Sequence, residues 1–241
     1  MPSDPGSAVW AVVGVLVVFV LVLVRVVKGL GRAGAGRPER MRRLAESLGM
    51  RYFGSIEPAA LDRLPRPSLL EQDAARGVRN LMGDKGPSPE RMLFDCELRP
   101  PRARPETGLP SELHLVALAR VRTAGLAPFR VYREDLLGGP VGVRGLRRLG
   151  FEDDPEFTYG YLVAGQDWER IGALLTAPVR AAIRSGPVRG PRPVVELLEG
   201  WLAVHVESRP GDQMVERRGE ELVRYACRIR DALALRTTPS A

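Results

Sequence analysis

Histidine and cysteine are nearly missing from this 241-residue chain, with two of each. Two cysteines exclude a disulfide scaffold and an all-thiolate zinc site. Two histidines, distant in sequence, leave little for a catalytic triad or a metal centre. Lysine is equally scarce: Lys28 and Lys85 stand against 34 arginines, a skew that reads as the codon bias of a GC-rich genome. The G-x-S-x-G elbow, the P-loop and H-E-x-x-H are all absent. At 44% hydrophobic and 27% charged, the chain is too apolar for disorder and too charged for a multi-span membrane protein.

The net charge of +7 is concentrated at one end. Residues 1–43 carry seven basic and two acidic side chains, net +5, and the remaining 198 residues carry 29 and 27, net +2. Nucleic-acid binding needs a concentrated basic face, and the near-neutral bulk of the chain gives no support for one. No nucleic-acid partner is expected.

A long apolar run is present. From Gly6 to Val24, nineteen residues pass without a charge, enough for a helix of about 28 Å against a hydrocarbon core of roughly 30 Å. Basic residues flank only its C-terminal side, and no Lys or Arg precedes it. That pattern argues for a retained anchor over a cleaved signal peptide, with the N-terminus out and the larger part of the chain in the cytoplasm. The expected organisation is a transmembrane anchor over residues 1–28, a basic glycine-rich linker over 29–37, a cytoplasmic domain over 38–235 and a disordered tail over 236–241. Trp10, Arg25, Lys28, Arg32 and Arg37 are the expected membrane-interface residues, the basic ones meeting anionic lipid headgroups of the bilayer. Gly29-Leu30-Gly31-Arg32-Ala33-Gly34 matches G-x-G-x-x-G in letters only, because no strand precedes it.

Within 38–235, periodicity predicts a helix after Pro38 on Met41, Leu44, Ala45 and Leu48. Short strands are predicted at Met50–Phe53, Met92–Leu98, Leu113–Val121, Phe129–Tyr132 and Tyr159–Val163. A helical turn is expected around Glu57–Leu64, irregular structure over 65–90, and a proline-rich loop from Pro100 to Pro110. Asp167 should cap a helix with Trp168, Ile171, Leu174 and Leu175 inward. Pro178 should force a restart after Thr176. Val194–Glu199 and Trp201–Glu207 read as a hairpin turning at Glu199-Gly200. A final helix runs from Met214 to Leu235 on Leu222, Ala226, Ile229 and Leu233. Strands in runs favour an α+β fold with a mainly antiparallel sheet and packed helices, following the N-terminal transmembrane helix.

The chemistry-bearing residues have ordinary readings. His114 and His205 fall in strands as surface or half-buried residues. Cys96 and Cys227 fit as small buried hydrophobes. The acidic run Glu152–Glu156 reads as a turn fixed by Pro155 and anchored by Phe151 and Phe157, since it lacks the ligand spacing of a cation loop.

The N-terminal span, Leu48-Gly49-Met50-Arg51-Tyr52, Pro128–Tyr132, Asp153–Phe157, Gly165 and Leu174-Leu175-Thr176 together resemble uncharacterised bacterial single-pass membrane-anchored proteins. These carry one cytoplasmic α+β domain of unknown function. The resemblance covers most of residues 38–235 and departs over 98–110. It implies a fold and a topology, with no catalytic residue, cofactor or metal. The functional expectation is a membrane-anchored binding or scaffolding module with a protein partner still to be identified. The alternative is a small-ligand receptor or a histidine-independent enzyme, which a deep cleft with converging acids and arginines would favour.

Overall fold

The structure is a computed structural model that describes residues 36–56, 67, 75–98, 112–123, 125–134, 146–187, 192–198 and 200–235. It is α+β. Nine strands form one sheet in which every pairing is antiparallel. They are β1 (Arg51–Ile56), β2 (Ala75–Gly83), β3 (Arg91–Leu98), β4 (Glu112–Arg120), β5 (Phe129–Arg133), β6 (Leu146–Arg147), β7 (Tyr161–Gly165), β8 (Val194–Leu198) and β9 (Trp201–Ser208). Their order across the sheet is β1-β2-β3-β4-β9-β8-β5-β7-β6.

Among the described residues five helices accompany them: α1 (Arg37–Ser47), α2 (Pro155–Gly160), α3 (Trp168–Leu174), α4 (Ala177–Arg184) and α5 (Val215–Ala234). In α5 the buried residues Leu222, Ala226, Ile229 and Leu233 recur at three- and four-residue spacing, so one stripe faces the sheet. Asp167 caps α3 by accepting from the Arg170 N–H at 3.1 Å. Pro178 falls in the first turn of α4, where its missing N–H costs nothing. Thr176 stands at the N-cap of α4 without a side-chain hydrogen bond. Leu198 pairs with Trp201 across the β8–β9 turn, and Gly200 takes the left-handed conformation there at φ +71°.

One continuous apolar core joins α1, α3, α4 and α5 to Leu115, Ala117 and Ala119 of β4, Leu202 and Val204 of β9, and Val131 and Val163 of β5 and β7. Both ends of the sheet therefore share one core. The opposite face carries a second apolar layer made of strand residues, among them Phe94, Cys96, Val116, Leu118 and Ala203. This explains why β4 is apolar on both faces.

Two sequence expectations are corrected. Residues 75–83, expected as irregular, form β2, which pairs with both β1 and β3. Its alternation is broken by Asn80 at φ +53° and by register shifts on both sides, so period-2 reading fails there. The strand expected from Tyr159 starts at Tyr161, because Asp154 caps α2 across the preceding residues. The helical turn at 57–64, the loop at 100–110 and the tail at 236–241 lie outside the described residues. So does the expected span at 6–24. Among the described residues no helix is long and apolar enough to cross a membrane.

Candidate functional site

Among the described residues, three charge constellations and a cleft with an adjoining hollow are candidates for a site. The first joins α1 to the sheet. Arg37 donates from Nε and Nη2 to the two carboxylate oxygens of Asp95, both at 2.7 Å, and also to Ser208 Oγ at 3.1 Å and the Arg209 carbonyl at 2.9 Å. The Asn80 amide donates to Asp95 at 2.8 Å, and the Tyr52 hydroxyl donates to the Asn80 carbonyl oxygen at 2.7 Å. Arg37 and Asp95 are 5% and 1% exposed. Burial, opposed by Arg42 and aided by the carboxylates of Asp95 and Glu39, raises the Tyr52 pKa.

This corrects the reading of Arg37 as a membrane-interface residue and as the last residue of a linker. It is the first residue of α1, and its guanidinium is fully engaged inside the domain. An arginine next to Pro38 at a helix start looks solvent-facing in sequence, because the acid that claims it lies on a distant strand. Trp10, Arg25, Lys28 and Arg32 lie outside the described residues.

The second constellation is the acidic run. Asp154 accepts from the Phe157 N–H at 3.0 Å and from Arg180 Nε at 3.0 Å, and it also pairs with Arg184. Arg180 reaches Asp153 and lies over the Phe151 ring at 4.2 Å. Burial opposes ionisation of Asp154, but the Phe157 N–H, the Arg180 hydrogen bond and the two guanidinium charges outweigh it and hold its pKa below the ordinary range. Phe151 and Phe157 meet edge to face with ring centroids 5.7 Å apart. The run is thus a structural clamp between α2 and α4.

The third lies on the second apolar face. His114 and His205, distant in sequence, come together on β4 and β9 with ring centroids 5.8 Å apart. Register places His114 opposite Cys96 and His205 one strand from Glu196, whose carboxylate is 3.1 Å from His205 Nε2. Arg130 lies 3.5 Å from the other Glu196 oxygen. His114 Nδ1 is buried without a hydrogen-bond partner among the described residues. Burial, reinforced by His205, lowers the His114 pKa to about 4, so its imidazole is neutral. Burial first, and the carboxylates of Asp95 and Glu97 second, push the Cys96 thiol up to about 12. It is therefore no nucleophile at neutral pH. Among the described residues, no group of three or more potential ligands could hold a metal ion.

The cleft opens where β3 begins, β4 ends and the β8–β9 turn closes. Its volume is about 670 Å³, and its lining includes Glu90, Arg120, Arg122, Leu126, Leu198 and Trp201. A second hollow of about 610 Å³ shares Glu90 and Arg120–Thr123 and continues to Arg230, Asp231 and Ala234 in the last turn of α5. Neither histidine lines either hollow. Sequence reading missed this site because its arginines are few and its other lining residues, Glu90 and Trp201, lie far from them in the chain. One signal was available: Arg120 and Arg122 bracket the end of a clearly apolar strand.

The fold has a solved counterpart. Over 82% of this chain and 94% of that one, the structure is similar to the mycobacterial trehalose monomycolate transport factor A, TtfA, with a TM-score of 0.54 and 13% sequence identity. At that identity the likeness concerns the fold. No protein-family model matches the chain. No curated protein matches it either.

Proposed function

We propose that the protein is a single-pass, membrane-anchored binding or scaffolding module, with its N-terminus out and its α+β domain in the cytoplasm. In this reading the domain serves a transport process, as the structurally similar TtfA is named a trehalose monomycolate transport factor.

The observation that carries the reading is how the charged groups are used. Asp95, Asp154, Glu196 and His205 each hold a partner inside the fold, and they knit helices and strands together. Solvent-facing charge, by contrast, is spread over the surface, as at Arg43, Arg79, Arg217 and Arg224, and gathers in no catalytic constellation among the described residues. The cleft, with Glu90 and Asp231 beside Arg120, Arg122 and Arg230, favours a second reading as a small-ligand receptor.

The test is in-cell crosslinking of the tagged full-length protein, followed by mass spectrometry of what co-purifies from membranes. A single stoichiometric membrane partner is the expected result. Enzyme-like turnover of a common substrate class by the purified chain, with no partner captured, would overturn the module reading.

A further inference from the structure

We infer that the cleft at the end of the sheet binds an amphipathic small anion, a phosphate or carboxylate joined to a flat or apolar body. Arg120 and Arg122 take the anionic group, and Trp201 and Leu126 take the body. This deepens the receptor reading above and rests on it.

Three guanidiniums surround this place against two carboxylates. Arg122 is paired with Glu90 at 2.9 Å, and Arg230 with Asp231 at 2.7 Å. Arg120 holds no carboxylate among the described residues. Its guanidinium lies 5.8 Å from the centre of the Trp201 ring, a position that pre-orients it along the cleft wall. Glu90 registers the field. The hydrogen bond from Arg122 and the charges of Arg122, Arg120 and Arg230 together lower its pKa, although it is exposed to water.

The Arg122–Glu90 pair is solvent-exposed and therefore weak, so an incoming anion can share Arg122 without breaking a structural bond. The neighbouring hollow ends on Arg230, Asp231 and Ala234 of α5. Beside the arginines, Trp201, Leu126, Leu198 and Val121 offer apolar and aromatic surface, which a bare inorganic anion leaves unused. The volume of about 670 Å³ suits a ligand of small-molecule size.

The test uses the full-length chain reconstituted in phosphatidylcholine vesicles and titrated calorimetrically with phenyl phosphate, inorganic phosphate and phenol. Phenyl phosphate should bind about tenfold more tightly than either of the others, since each supplies only half of the contact. Arg120→Gln should weaken it about tenfold through loss of a charge-assisted contact. Trp201→Phe, which keeps a ring, should retain most of the affinity, with circular dichroism reporting that both variants are folded. Adding phosphatidylglycerol to the vesicles separates the sources. Weakened phenyl phosphate binding assigns the anion to a lipid headgroup, and unchanged binding assigns it to a soluble molecule. No binding up to about 10 mM phenyl phosphate, a limit set by millimolar affinity, or equal affinity in Arg120→Gln, overturns the site. A captured membrane partner with no phenyl phosphate binding would remove the anion site and leave the module reading standing.

Discussion

Arg37 and Asp95 lie 58 positions apart and meet through two parallel 2.7 Å hydrogen bonds inside the domain. The pair fixes the start of α1 against β3 at the point where the N-terminal part of the chain enters the fold. Any tether arriving from residue 36 is therefore held by a buried, two-pronged bond rather than by a loose surface charge.

Removing one partner leaves the other charged and buried. Arg37→Ala should cost about 3–5 kcal/mol of unfolding free energy, read from urea unfolding of the chain. The double change Arg37→Met with Asp95→Leu should cost less than Arg37→Ala alone, because no uncompensated charge remains. A loss under about 0.5 kcal/mol in Arg37→Ala, the range of ordinary surface substitutions, would show that the pair does not hold the helix.

Asp154 combines a helix cap with two arginine contacts. Asp154→Asn keeps an oxygen for the Phe157 N–H and should lose less stability than Asp154→Ala, which also loses a cap worth about 1 kcal/mol. Equal thermal midpoints for the two variants would mean that the cap contributes nothing.

The neutral His114 makes the fold acid-sensitive. Its folded pKa of about 4 lies below the ordinary 6.5, so the unfolded chain binds a proton more readily. Stability is complete above pH 6.5 and declines as pH falls from there towards about 4, by up to about 3 kcal/mol from this group. His114→Leu should flatten that interval in urea midpoints measured against pH. An unchanged slope would place the acid sensitivity elsewhere.

Gly219 lets α5 approach α1 closely. A Cβ there would meet Leu44 Cδ2 at 2.5 Å and Leu93 Cδ2 at 3.0 Å. Gly219→Val should destabilise the domain by about 1–3 kcal/mol through overpacking, despite removing a helix-interior glycine. A thermal midpoint equal to or above that of the parent chain would show that the leucines can move aside.

The proposed anchor predicts that the full chain resists alkaline carbonate extraction from membranes, whereas a chain lacking residues 1–28 appears in the soluble fraction. Recovery of the shortened chain in the membrane pellet would require another attachment.

Local patterns in the sequence were enough for α1, α3, α4, α5, the β8–β9 hairpin and the apolar strands β3 and β4. In each, periodicity, a cap or a turn residue acts over a few positions, and local chemistry decides the outcome. Only the tertiary structure decided the rest. β2 exists because β1 and β3 flank it, whatever its irregular pattern suggests. His114 and His205 become neighbours through the β4–β9 register. Arg37 turns inward because Asp95 waits on a strand it could not be matched with in advance. The cleft draws Glu90, Arg120 and Trp201 from three separate parts of the chain. Antiparallel pairing joins residues tens of positions apart, and a charge finds its partner, its burial and its role only when those strands meet.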